Sequence, residues 1–238
     1  MNQFERTRIL IKEEGVEKLA GKHVFLAGLG GVGSYCAEAL ARGGIGRLTL
    51  LDHDIVAISN INRQLPALLS TVGQSKAELM QARIADINPE CRVIIRREFL
   101  TVENVNEIVP FDADYVIDAI DSLNCKVALV AESVKRGLKV ASSMGAGNKL
   151  DPSRIRLADI AGTRICPLAS QMRKRLRKRG IASGVLTVFT DEPPRAPLPP
   201  EPVSGRGRPR AVNGTISYMP PLFGFMLAGA VIKELLEA

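Results

Sequence analysis

Tryptophan is missing from this chain of 238 residues and aromatics make up only 4% of it. That argues against single-strand nucleic-acid modules built on base stacking. Four cysteines occur, Cys36, Cys91, Cys125 and Cys166, with no CxxC pair and no repeated spacing. A disulfide framework and a zinc ribbon are both disfavoured by that scatter. His23 and His53 stand without a partner pattern, so neither is assigned as a ligand or a base. Residues 1–14 are polar and hold no apolar stretch of signal-peptide type. The C-terminal apolar run, residues 221–232, is too short to cross ~30 Å of hydrocarbon and reads as a buried helix. The expectation is a reduced, soluble, cytoplasmic protein.

What remains is globular in kind. With 46% hydrophobic and 24% charged residues, wholesale disorder and coiled coil are excluded. The length suffices to bury a core without crosslinks. Net charge is +7, from 32 basic and 25 acidic residues, which makes an anionic partner compatible.

Strand and helix signals alternate through the first half. Residues 22–27, 47–52, 91–96, 115–118 and 138–143 are short apolar runs of strand type, and 32–42, 75–87 and 123–135 carry helical spacing. Leu79, Ile84 and Ile87 define the expected inner face of the second helix, which Asn88-Pro89 stops. Such repetition predicts an α/β, Rossmann-like, mostly parallel sheet with helices on both faces. Past Gly147 the pattern changes. Leu168, Ala169, Met172 and Leu176 form the apolar stripe of a helix that also bears Arg173, Lys174, Arg175, Arg177, Lys178 and Arg179. Residues 160–190 hold seven bases and no acid, 184–189 read as a strand, and 191–210 hold seven of the 14 prolines, an extended loop. Residues 222–236 close the chain as an apolar helix. The expected organisation is one domain over 1–238, with a core at 1–147 and an elaborated C-terminal third at 148–238.

The chemistry concentrates around the first glycine cluster. Gly28, Gly30, Gly31 and Gly33 follow a strand and open a helix, where backbone N–H groups approach phosphate oxygens. Asp52 ends the next strand, in place to accept from ribose hydroxyls. Those features alone fit any dinucleotide-dependent oxidoreductase. Asp54, Asn60, Arg63 and Lys76 tip the balance, because a triphosphate needs more cationic neutralisation than a pyrophosphate. Asp118 and Asp121 follow strand four, at the carboxyl edge where ligands bind in such sheets. A carboxylate there suits a metal bridging phosphate oxygens; for Asp118, capping the next helix fits equally well.

GLGGVG, LLDHD, SNINRQ, VGQSK and VIDAIDS, in this order and spacing, resemble the ATP-binding core of the E1-like adenylating enzymes, the group of the ubiquitin-activating, ThiF and MoeB proteins. The resemblance covers residues 19–147. NRQLPAL, INPECRV and GAGNKLDPSRI are most similar to the tRNA threonylcarbamoyladenosine dehydratase branch. It implies ATP and Mg²⁺ as cofactors, attack of a threonyl carboxylate on the α-phosphate, and closure of a ring with loss of water overall. By the same resemblance Gly28, Gly30, Gly31 and Gly33 hold phosphate and Asp52 the ribose. Asn60, Arg63 and Lys76 grip phosphates, and Asp121 holds the metal, with Arg63, Lys76 and Asp121 setting the rate. A homodimer is implied, with Arg6 or Arg8 the candidates for reaching the partner's site; a sulfur-relay protein is a candidate further partner on which the sequence does not decide.

The chain departs from ThiF and MoeB types in having no pair of CxxC motifs, which disfavours adenylation of a small sulfur-carrier protein. That activity and an NAD-dependent oxidoreductase stay as alternatives, as does a nucleotide-binding adaptor without turnover. Cys166 is the only late cysteine and has no acid or histidine close in sequence. The basic residues Arg173, Lys174, Arg175, Arg177 and Lys178 are candidate tRNA contacts, a solvated amphipathic face being the plainer role. Arg206, Arg208 and Arg210 either close over RNA or keep their loop soluble.

Overall fold

Every residue of His23–Ala27 is buried, yet its side chains divide between two separate cores, which requires helices on both faces of a sheet. The computed structural model describes residues 3–201 and 210–237. In chain order the regular elements are α1 (Glu5–Ala20), β1 (His23–Ala27), α2 (Gly33–Gly43), β2 (Arg47–Leu51), α3 (Lys76–Ile87) and β3 (Arg92–Arg96). After them come α4 (Val105–Ile108), β4 (Tyr115–Asp118), α5 (Leu123–Lys135), β5 (Lys139–Ser143) and β6 (Ile155–Asp159). The chain continues through α6 (Pro167–Arg177), β7 (Leu186–Thr190), β8 (Leu198–Glu201), β9 (Arg210–Val212) and α7 (Met219–Glu237). Seven strands form one sheet in the order β3-β2-β1-β4-β5-β7-β6, all parallel except β6. Val24 and Leu26 of β1 pack with α2, α3 and α7, while Phe25 and Ala27 pack with α5 and α6 on the other side. The strand order reverses between β1 and β4, so a crevice opens beyond their carboxyl ends.

Four elements differ from the sequence expectation. Helix α1 escapes periodicity because its apolar positions are divided: Val16 and Leu19 are buried, whereas Ile9 and Leu10 are exposed. On α3 the buried apolar positions are Ala77, Met80 and Ile84, and Leu79 is only half-buried. Strand β6, in which only Ile155 is buried and Arg156 and Leu157 are exposed, gives no clear strand period and runs antiparallel to β7. Part of the proline-rich stretch is a strand pair, β8 with β9, tolerable for proline because each strand has an edge. Arg206 and Arg208 lie outside the described residues, as does the side chain of Arg210.

The last helix is longer than the apolar run suggested. At 19 residues α7 is long and apolar enough to cross a membrane. Its Met219, Phe223, Leu227, Val231 and Leu235, one turn apart, are nevertheless all buried in the main core. Gly224 permits the closest approach: a Cβ there would lie 2.3 Å from the Val32 carbonyl oxygen at the start of α2. His23, left without a role by its sequence, is the first residue of β1 and buried, with Nε2 2.8 Å from the Thr49 hydroxyl. Burial lowers its pKa.

At the β6–β7 edge, Asp191 is buried and accepts from Arg154 and Arg164, each at 2.9 Å. Arg164 first and then Arg154 hold its carboxyl down from 3.8 to about 2. A depressed folded pKa means the stabilisation is complete above the unfolded value and is lost as pH falls toward the folded one. Asp191→Asn is therefore expected to flatten the acid limb of stability between about pH 4 and pH 2, read from urea midpoints; parallel limbs in both proteins would refute it. A second prediction concerns the turn after β1. A Cβ on Gly33 would sit 1.7 Å from the Gly28 carbonyl oxygen, so Gly33→Ala should lower the unfolding free energy by about 1–3 kcal/mol or more in urea titration.

Candidate active site

The chain leaves β1 into a turn that only glycine can make. Gly28 has φ +91°, and a Cβ on it would lie 2.7 Å from the Ala119 carbonyl oxygen. Its N–H donates to the Leu51 carbonyl at 2.8 Å, tying the turn to the end of β2. Helix α2 then starts at Gly33, and its N-cap Val32 supplies no capping side chain. The opening N–H groups and the positive end of the helix dipole thus face the crevice.

Asp52 completes the tie. Its side chain accepts from the Leu29 N–H at 2.6 Å and the Asp54 N–H at 2.8 Å. Burial raises its pKa; the two N–H groups and then Lys76 act the other way. Lone pairs remain on both oxygens for a further donor such as a ribose hydroxyl. Lys76, the first residue of α3, is 4% exposed and its ammonium is 2.8 Å from Asp54. Across from it Arg63 is half-buried, its Cγ near enough to Gly31 that a Cβ there would be 3.3 Å away. One guanidinium nitrogen donates to the Ser59 carbonyl at 2.8 Å and to Asn62 Oδ1 at 2.9 Å. Desolvation lowers the Arg63 pKa.

These residues surround a cavity of about 460 Å³ at the carboxyl ends of β1, β2, β4 and β5. Gly28, Gly30, Gly31, Asp52, Arg63 and Lys76 line it on one side, and the exposed Asp121 lines it on the other. Gly33 and Asn60 do not line it. Gly33 is there for backbone clearance. Asn60 accepts the Ala57 N–H at 3.1 Å through Oδ1, and its carbonyl accepts the N–H groups of Arg63 and Gln64 at 3.1 and 2.9 Å. It shapes the segment that aims Arg63 instead of facing the cavity.

Asp118 departs further from expectation. It is the last residue of β4, wholly buried, and bonded to Lys126 at 2.7 Å, so it neither caps α5 nor faces a ligand. The N-cap of α5 is Ser122. Ligating atoms of Asp52, His53 and Asp54 lie within 4.8 Å of one another, but Lys76 already occupies Asp54.

Sequence reading missed several parts of the wall, Phe99, Met144, Asn213 and Thr215, and gave no role to Gln64 beside Arg63. Gln64 is 8% exposed and its Oε1 has no partner among the described residues. Phe99, exposed and edge-on to His53 at 4.8 Å, is an aromatic that the low aromatic content makes conspicuous. Asn213 and Thr215 arrive from 95 and 97 residues after the end of β4, a distance no local pattern spans.

Of the basic residues on α6, Arg173 donates to the Thr163 carbonyl at 2.8 Å and Arg175 to Asn124 Oδ1, so both are engaged within the fold. Lys174 and Arg177 are exposed, and Lys178 is exposed at the C-cap, just past the helix. Arg8 pairs with Glu13 at 2.6 Å, whereas Arg6 is exposed on α1. All four cysteines are free and buried, and Cys36, on α2, has its thiol pKa pushed up by burial. Cys125 also reaches the cavity wall.

Comparison with known proteins agrees with this geometry along the whole chain. A tRNA threonylcarbamoyladenosine dehydratase of Bacillus subtilis is 45% identical over 243 residues, covering 100% of this chain and 96% of the relative. The E. coli tRNA N6-threonylcarbamoyladenosine dehydratase TcdA, solved in complex with ATP, superposes with TM-score 0.87 at 36% identity, covering 99% of this chain and 94% of that one. Its complex with AMP gives the same TM-score at 37% identity. The sequence profile of the ThiF family matches residues 4–238, and the chain belongs to that family.

Proposed function

We propose that this protein is an ATP-dependent tRNA threonylcarbamoyladenosine dehydratase. The reading is carried by one observation: the glycine turn, Asp52, Arg63, Lys76 and Asp121 converge on a single cavity, in a chain that matches ATP-bound TcdA from end to end. The turn's N–H groups, Arg63 and Lys76 neutralise a triphosphate, and Asp52 accepts from its ribose. Phe99 offers an apolar face for the base. A substrate carboxylate attacks the α-phosphorus and pyrophosphate leaves, giving an acyl-adenylate; the activated carbonyl is then captured from within the same modified side chain, closing the ring as the C–O bond to AMP breaks and AMP leaves with the carboxylate oxygen. Charge neutralisation and alignment are the chain's main contributions. Asp121, an exposed carboxylate at the sheet's carboxyl edge, fits the hard oxygen ligation of Mg²⁺, which would add positive charge beside the phosphates when bound. Cationic side chains around the turn favour a triphosphate over NAD, and the missing CxxC pairs disfavour a sulfur-carrier substrate.

The proposal includes a cytoplasmic homodimer. Four free buried thiols suit a reducing compartment. Ile55, Ile58, Leu68 and Leu69, 57–81% exposed on the segment between β2 and α3, present an apolar surface of the kind that partners cover. The proposed tRNA contacts on α6 are Lys174, Arg177 and Lys178, the cations that point to solvent.

Incubation with ATP-Mg²⁺ and threonylcarbamoyl-modified tRNA, followed by nucleoside mass spectrometry, should show loss of one water from that nucleoside; an unchanged mass with folded protein would sink the reading. Arg63→Ala and Lys76→Ala should each slow AMP formation by at least about 100-fold while leaving thermal unfolding cooperative. Near-normal turnover in either variant would remove that residue from the mechanism. Binding of tRNA should weaken steeply with salt, and Lys174→Glu with Arg177→Glu should reduce that slope. A slope unchanged by the pair would return α6 to a solvated face.

A further inference from the structure

Beneath the cavity lies a charged pair that the proposed chemistry does not use. Asp118 is 0% and Lys126 1% exposed, with 2.7 Å between carboxylate and ammonium. The same carboxylate accepts the Ser142 hydroxyl at 2.5 Å and, through its other oxygen, the Ile120 N–H at 3.1 Å. Burial favours the neutral acid, and Lys126, Ser142 and the Ile120 N–H oppose that. Desolvating two charges is unfavourable, and apolar side chains of similar volume at such sites are often as stabilising or more so. The location explains what stability does not. Ile120 belongs to the segment 119–122 that forms one cavity wall and carries Asp121; Lys126 follows the wall residue Cys125 on α5; Ser142 precedes the wall residues Ser143 and Met144. One carboxylate therefore joins three walls. The wall it steadies also touches the glycine turn, since the Ala119 N–H donates to Ala27 at 2.8 Å and the Ala119 carbonyl crowds Gly28.

We infer that Asp118 and Lys126 are positioning residues, whose buried pair holds segment 119–122, and with it Asp121, at a fixed distance from the glycine turn. The inference rests on the ATP-dependent reading above, and on Asp121 acting toward a divalent cation. Neither residue touches the nucleotide; both act through Asp121. Loss of the pair should therefore leave the phosphate grip of Arg63, Lys76 and the turn in place, and should spoil what depends on Asp121.

The test compares wild type with Asp118→Leu/Lys126→Met, an apolar replacement, and with Lys126→Arg, which keeps the charge. Calorimetry measures ATP affinity with and without Mg²⁺, a readout that needs no tRNA substrate. The apolar variant should melt cooperatively and bind metal-free ATP within about threefold of wild type, but lose most of the tightening that Mg²⁺ brings, and its AMP-forming turnover should fall about 100-fold. Lys126→Arg should retain most of both. The inference is overturned if the apolar variant keeps the full Mg²⁺ increment and turnover. It is also overturned if that variant fails to fold, which would make the pair a folding device, or if Lys126→Arg loses as much as the apolar variant. A wild type that shows the Mg²⁺ increment yet dehydrates no nucleoside would instead strike the functional reading and leave this calorimetric result standing.

Discussion

The short bond from the Leu29 N–H to Asp52, 2.6 Å long, is the constraint on which the site depends. It locks the turn after β1 to the end of β2, so the amides that open α2 and the Asp52 carboxylate, both facing the cavity, are set by one contact. The neighbouring strands are already in register, Ala27 beside Leu51. Asp52 therefore does not search for its place; the parallel pairing delivers it. Asp54 follows two residues later and holds Lys76 at the start of α3, so the second strand, its exit and the next helix form one continuous wall.

Much of this was readable in the residues because it is local. Five strand runs, the glycine turn and the helices α2, α3 and α5 announce themselves through period, capping and glycine, and Gly28, Asp52, Arg63, Lys76 and Asp121 fall where spacing placed them. What stayed hidden was determined at long range. Helix α1 has too few buried positions for a periodic signal. Strand β6 is an edge strand, antiparallel to β7, whose five residues mix apolar and charged positions without a clear period. Asn60 and Asp118 look like ligand contacts by type and order, yet Asn60 turns its Oδ1 to the Ala57 N–H and Asp118 is buried against Lys126 and Ser142.

The basic stretch on α6 teaches a related lesson about charge. A run of arginines reads as one surface, but the helix turns them toward different surroundings. Arg173 and Arg175 secure α6 to the residues before it and to the start of α5, while Lys174 and Arg177 remain outward. Helical rotation, more than net charge, decides which cations are left for a polyanion.

The packing of α7 carries a consequence for the cavity. Its Gly224 rests on the carbonyl of Val32, at the mouth of α2, and Pro220 forms part of the cavity wall and abuts Gly31. The glycine turn, made from residues near position 30, is thus finished by residues beyond 219. The cavity is therefore complete only with α7 docked against α2, so the part of its wall that Pro220 supplies depends on a segment about 190 residues away from the turn it abuts.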